Sequence, residues 1–401
     1  MSQSPAASPE KVPWGLVILL GSMTAFGPMA IDMYLPSLPT IGASLNATAG
    51  QTQATMGAFL AGMAIGQFFY GPASDRIGRK APVLLGAGVF ALASVICANA
   101  TSIEMLLGAR FLQALGACSG AVVARAIVRD LYNHTETARM LSLLTLVMGL
   151  APILAPLLGG FLMTIGGWQA NFWAQMVFGL AVGAATLFQL KESRSEATAV
   201  QARSENPLQA YGALIRQRRL VGYTLAGALN GAALFTYVSS SPELLIKTYG
   251  ISPQMFGWVF GLNAVGIIGG GQVNRYVLRT YTPDQVLRAA SLCAAVVAFV
   301  LVLAATTGIG GAWTVMPLLF LLLSSFGFMQ GNTMAGALNV DPLRAGSISA
   351  LMGGVSFASG ALASTAVGIF HDGTARPMAM TILIAVLGSA LTLRMLALPR
   401  R

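Results

Sequence analysis

Between Trp14 and Pro36 the only charged residue is Asp32, and runs of this kind, about twenty apolar residues with almost no charge, recur along the whole chain. Twenty residues at ~1.5 Å each cross a ~30 Å hydrocarbon layer. In that layer every backbone N–H and C=O needs a partner within its own segment, which a helix provides and an open strand does not. The shorter segments of alternating polarity that mark a membrane β-barrel are missing. Twelve spanning helices are therefore predicted, at 14–36, 51–71, 82–99, 103–125, 139–164, 168–189, 219–241, 254–275, 286–308, 312–337, 345–369 and 378–397. Only 9% of the residues are Asp, Glu, Lys or Arg, against roughly 25% in a soluble domain. So few charges would not cover a soluble surface of this size.

The basic residues set the orientation. With the N-terminus inside, 20 of the 23 lysines and arginines fall in inner loops and helix ends, among them Arg76, Arg79, Lys80, Arg125, Arg129, Lys191, Arg194, Arg218, Arg219 and Arg344. Lys247 and Arg376 fall outside, and Arg110 lies within a helix. The positive-inside rule then places both termini in the cytoplasm. The net charge of +10 reads as an insertion device beside anionic lipid, with no nucleic-acid partner.

The longest polar stretch, Lys191 to Arg219, divides the helices into two sets of six and reads as a flexible cytoplasmic linker. The expected units are a tail over 1–13, a first bundle over 14–190, a linker over 191–218, and a second bundle with a short tail over 219–401. A repeat supports the division: Gly71-Pro-Ala-Ser-Asp75-Arg76 after the second helix matches Gly270-Gly-Gln-Val-Asn274-Arg275 after the eighth. Duplicated bundles rock about a central site near the membrane midplane.

Two charges are predicted inside the hydrocarbon span, Asp32 near the outer end of the first helix and Arg110 in the outer half of the fourth. Either would be costly facing lipid, so each should face a wet cavity or the other. Burial favours a neutral carboxyl and a neighbouring arginine a charged one. Asp32 is accordingly expected to be the protonation switch, with Arg110 tuning it or touching substrate, against the plainer reading of a structural ion pair. Gln113 lies one turn from Arg110 and is expected to hydrogen-bond across the cavity as a substrate-binding residue, while Gly116 and Gly120 allow close helix approach. In the fifth helix Gly149, Pro152, Pro156 and Gly160 predict a face that bends and packs closely on a neighbour. Further expected cavity residues are Tyr34, Phe59, Asn230, Phe235, Tyr237 and Asn332.

The string Gly71-Pro72-Ala73-Ser74-Asp75-Arg76-Ile77-Gly78-Arg79-Lys80 is read as a loop at the cytoplasmic face. Gly78 suits a tight turn, and Asp75 would pair with Arg76, Arg79 or Arg129. With Asp130, these residues would latch one state of the rocking bundles. The cysteines Cys97, Cys118 and Cys293 read as packed thiols. No His/Cys set suggests a metal, and no nucleotide loop or nucleophile–base constellation suggests an enzyme.

From Asp32-Met33-Tyr34-Leu35-Pro36, through Gly71 to Lys80, Arg110-Phe-Leu-Gln113-Ala-Leu-Gly116 and Arg129-Asp130, to Ala345-Gly346-Ser347-Ile348-Ser349-Ala350-Leu351, the chain resembles the major facilitator superfamily. More narrowly it is similar to the drug:proton antiporters of the bicyclomycin and chloramphenicol resistance (Bcr/CflA) group. The resemblance implies an all-α fold of two pseudo-symmetric six-helix bundles in the bacterial cytoplasmic membrane. It also implies proton-coupled efflux of a drug-like small molecule, with roles in proton coupling and transport for Asp32 and Arg110. The transported proton is then the coupling ion, no cofactor is needed, and the chain is expected to act as a monomer. The helix-5 pattern resembles the antiporter signature, though Ala151-Pro152 and Ala155-Pro156 replace its Gly-Pro pair. Where some related exporters carry a second acid in the first helix, this chain has Thr24, which favours neutral or zwitterionic amphiphiles over cations. The nearest alternative is a proton-coupled carrier of a sugar, amino acid or other metabolite.

Overall fold

The computed structural model describes residues 14–132, 134–196, 198–200 and 207–398. The expected N-terminal tail and Arg203, Arg400 and Arg401 lie outside them. The described chain is helical throughout: α1 (Trp14–Asp32), a 3-10 turn (Leu35–Ser37), α2 (Leu38–Ser44), α3 (Ala49–Ile77), α4 (Lys80–Ala98), α5 (Ile103–Leu131), α6 (His134–Gln189), α7 (Pro207–Ile215), α8 (Arg218–Pro242), α9 (Pro253–Val277), α10 (Pro283–Thr307), α11 (Ala312–Leu338), α12 (Ala345–Ile369) and α13 (Arg376–Thr392). Short π segments, Glu243–Thr248 and Leu393–Ala397, continue α8 and α13.

Polar residues start these helices where the sequence allows a cap. Thr48 and Gln51 form a capping box at α3, and Thr282 and Gln285 form another at α10. Ser102 and Ser252 cap α5 and α9 through Met105 N and Met255 N. The long α6 is broken only at Gly166 and Gly167, whose torsions leave the helical region; Gly167 has φ +64°. Its backbone stays helical through Pro152 and Pro156, so the break comes at the glycine pair rather than at the expected proline face.

Nine helical stretches among the described residues are long and apolar enough to cross a membrane. The twelve predicted differ from this in a physically simple way. The two limbs of α6 form one continuous stretch, Leu143–Gln189. Helices α3 and α8 are as long as the others but carry many polar side chains, and these are buried: Thr52, Gln53, Thr55, Gln67 and Ser74 in α3, and Thr224, Asn230, Thr236 and Ser239 to Ser241 in α8. Large apolar side chains point outward instead, Phe188 at 84% and Trp313 at 91% exposure, a surface that suits lipid. Cys97 and Cys118 are buried, whereas Cys293 is exposed.

Helices α1, α3, α4, α5 and α6 pack on one another, as do α8 to α13; the two groups meet chiefly along α3 against α12 and α6 against α9. Gly116 and Gly120 do allow close approach, but to different helices. A Cβ on Gly116 would stand 2.5 Å from the Phe90 backbone of α4, and one on Gly120 would collide with the Met23 carbonyl of α1. The segment expected as a linker contains α7, whose Tyr211 ring lies edge-on to Phe68 at 5.5 Å.

Candidate functional site

Arg110 is fully buried in α5. Its Nη1 donates to the Ala30 carbonyl of α1 at 3.0 Å and to Gln113 Oε1 at 2.6 Å. The guanidinium carbon lies 4.4 Å from the Tyr34 ring centroid and 4.2 Å from that of Phe59. A desolvated cation on an aromatic face gains about 2 kcal/mol. Two ring faces and a carbonyl therefore hold this charge, with Nε and Nη2 left without hydrogen-bond partners among the described residues. Tyr34 is fixed in turn by a 2.6 Å hydrogen bond between its hydroxyl and Thr55 Oγ1. The sequence reading missed Thr55, Ser94 and Gln175. Gln113 Nε2 donates to Ser94 Oγ and to Gln175 Oε1, both at 2.7 Å.

Asp32, 5% exposed, ends α1. None of the ion pairs among the described residues joins it to Arg110 or to any other cation. The reading of the two as a structural pair is thus not what the structure shows. The turn Leu35–Ser37 just after Asp32 packs on α8, which carries Tyr237, and on α9. The Tyr237 hydroxyl accepts from Asn263 Nδ2 of α9 at 2.7 Å, and its ring stacks on Phe260 at 5.6 Å.

Of the other expected cavity residues, Asn230 is buried with both amide atoms unpartnered among the described residues. Phe235 packs on Phe357 at 5.5 Å. Asn332 is engaged elsewhere: it exchanges hydrogen bonds with Asn274 at 3.0 and 3.4 Å, tying α11 to α9. Asn274 stands at the repeat position that matches Asp75, so the two matching positions make different bonds.

The expected loop at Gly71 to Lys80 is mostly helix. Gly71 to Ile77 are the last turns of α3, and a Cβ on Gly71 would meet nothing within 4 Å. The turn itself is two residues long, with Gly78 at φ +102°, a value that favours glycine. Arg79 is 1% exposed. It forms an ion pair with Asp75 and donates to Ser74 Oγ at 2.9 Å and, through Nε, to Asp130 Oδ2 at 2.7 Å. Three residues that the sequence reading left in the linker complete the cluster. Glu192 accepts from the backbone N–H of Arg79 at 2.8 Å and of Lys80 at 3.3 Å, at the start of α4. Ser193 bonds Asp130 at 3.2 Å, and Arg194 donates to the Arg76 carbonyl at 2.5 Å. Arg129 lies outside this cluster's ion pairs and faces α12, where a Cβ on Gly346 would stand 3.3 Å from its Nη1.

On α6, Gly149, Ile153, Leu157 and Gly160 run along α9, opposite Ile268, Gly261, Gly257 and Pro253. Gly149 and Gly160 thus lie on the seam, while the residues between them there are Ile153 and Leu157 rather than Pro152 and Pro156. The second seam is tighter: a Cβ on Gly50 of α3 would stand 2.5 Å from the Gly368 carbonyl of α12.

The profile of the Major Facilitator Superfamily matches residues 20–365, and the chain belongs to that family. It is a transporter that moves a small organic solute by alternating access, a multi-pass protein of the bacterial cytoplasmic membrane. The chain is 35% identical over 378 residues to the uncharacterized MFS-type transporter YdgK of Bacillus subtilis, covering 93% of each chain. It is 30% identical to the bicyclomycin resistance protein homolog of Haemophilus influenzae, covering 95% of this chain and 96% of that one. The fold matches the xylose transporter XylE of E. coli, in a partially occluded inward-open conformation, with a TM-score of 0.75 at 14% identity, covering 95% of this chain and 96% of that one.

Proposed function

We propose that this transporter exports small amphiphilic, neutral or zwitterionic drug-like compounds in exchange for protons, with Asp32 as the proton-carrying group and Arg110 as its partner in coupling. The observation that carries this reading is the state of Asp32. It is a buried carboxyl without an ion-pair partner among the described residues, placed where the turn after α1 meets α8 and α9. A carboxyl so placed can take and lose a proton as the helices around it move, whereas a neutralised structural pair would not. The aromatic surroundings, Tyr34, Phe59, Tyr237 and Phe260, suit an apolar ligand. The relationship to the bicyclomycin resistance homolog supports a drug-like substrate.

In the same reading the chain spans the membrane twelve times in two six-helix bundles joined near 191–218, with both termini cytoplasmic. The two limbs of α6 count separately, and α3 and α8 span despite their polar interiors. The Arg79 cluster then lies on the cytoplasmic side and latches one state. A proton entering down a ~100 mV potential yields about 2.3 kcal/mol from voltage alone, so exchange for a neutral compound is electrogenic. A panel of drug-like compounds and labelled nutrients tested in oriented vesicles decides the direction and class. Export of unrelated amphiphiles, driven by the proton gradient and lost in Asp32→Asn, is expected. Inward movement of one sugar or amino acid would replace this reading with a nutrient carrier.

A further inference from the structure

The Gln113 amide has two chemically opposite ends, and Arg110, which can only donate, takes the oxygen: its Nη1 meets Gln113 Oε1 at 2.6 Å. The NH2 end then meets two acceptors, Ser94 Oγ and Gln175 Oε1, both at 2.7 Å, while Ser94 Oγ itself donates to the Phe90 carbonyl at 2.7 Å. Ser94, Gln113, Gln175 and Arg110 are all fully buried, where an unmet polar contact costs about 1–3 kcal/mol.

Gln175 keeps one donor, Nε2, without a partner among the described residues. Asn171, one helical turn earlier on α6, donates through Nδ2 to Ser37 Oγ at 2.7 Å, in the turn that follows Asp32 by a few residues.

We propose that Gln175, with Ser94, is a positioning residue for Arg110, locking in place the Gln113 amide that accepts from it. The proposal rests on the reading of Arg110 and Asp32 as the coupling site. It adds a support for the Arg110 side of that site drawn from α4 and α6.

The test compares Gln175→Met, which keeps the shape and removes the acceptor, with Gln175→Glu, which keeps an acceptor, in purified full-length protein. In Gln175→Met the pH midpoint of substrate-driven proton release is expected to move by about half a unit or more, and the transport rate to fall about tenfold. Substrate affinity should hold within about twofold, and Gln175→Glu should keep a rate nearer wild type. A Gln175→Met protein with the wild-type profile and rate overturns the proposal. So does one whose only change is a lower melting temperature. A melting-temperature cycle of Gln175→Met with Gln113→Met reads the lock without transport. Non-additive shifts are expected, and additive shifts overturn the lock even where coupling is intact. Asp32→Asn with unchanged proton release would instead count against the coupling reading alone.

Discussion

Arg110 grips α1 through the backbone carbonyl of Ala30, at 3.0 Å, two residues before Asp32. The cation is thereby attached to the acid's helix without being neutralised by the acid. A movement that shifts Ala30 relative to α5 changes the Arg110 contacts directly, and Asp32 stays available to the α8 side. In the proposed coupling, this arrangement would link a proton at Asp32 to helix position through geometry as well as through charge.

Arg110→Lys tests whether charge alone suffices. Lysine carries the cation but lacks the planar fork that bonds Ala30 and Gln113 from one nitrogen while lying between the rings of Tyr34 and Phe59. Proton-driven transport by Arg110→Lys is expected to fall about tenfold or more while the protein still purifies as a folded species. Wild-type rates in vesicles would show that the fork is dispensable.

Asp130→Asn should lower stability by about 1–3 kcal/mol, because it removes one of the two carboxylates paired with the buried Arg79 guanidinium. Thermal unfolding in detergent measures this. Asp75→Asn, whose side chain is more exposed, should cost less.

Glu192 gives the Arg79 cluster an acid sensitivity. Burial pushes its carboxyl up, but N–H groups of Arg79, Arg194 and Lys80 and the Arg194 charge outweigh this and hold it below the ordinary glutamate value of 4.5. A carboxyl depressed in the folded state contributes its full stability above the ordinary value. That contribution is lost as pH falls below 4.5 and through the folded value. Melting temperatures from pH 7 down to pH 3 should therefore drop less steeply in Glu192→Gln than in wild type, and the variant should be less stable at pH 7. Parallel curves would remove Glu192 from the cluster's energetics.

Gly50→Ala drives a methyl group into the Gly368 carbonyl, and backbone on both sides leaves no flexible side chain to yield. The α3/α12 seam should part at this end, with a cost of about 1–3 kcal/mol. Thiol labelling of a cysteine placed at Val367, in protein without its native cysteines, is expected to accelerate over the Gly50 parent. Unchanged labelling would mean the seam absorbs the methyl group.

Helix positions were legible in the sequence because a membrane span imposes length and apolarity on almost every residue, and the breaks fall at Pro, Gly, charged or small polar residues such as Asn99 and Ser102. The burial of Asp32 and Arg110 followed from the same argument. Partner choice was less legible. Arg110 meets Ala30 through a backbone atom, which no side-chain pattern encodes. Ser94 and Gln175 are small polar interruptions of apolar runs, and what gives them meaning is the fold that brings α4 and α6 to Gln113. Asn171 and Gln175, four residues apart in an apolar run, were a detectable signal of one polar helix face. Asn332 shows the converse: an intramembrane amide can serve only to join two helices. The Gly71 to Lys80 string reads as a loop around the Gly78 turn, yet α3 stays helical through Pro72 as far as Ile77.

The most direct test of the account is proton release from purified, detergent-solubilised protein on addition of an exported compound, measured with wild type and Asp32→Asn across pH 6 to 9. The account predicts release from wild type that depends on pH, and none from Asp32→Asn even where that variant still binds the compound. Equal release from both proteins would contradict it.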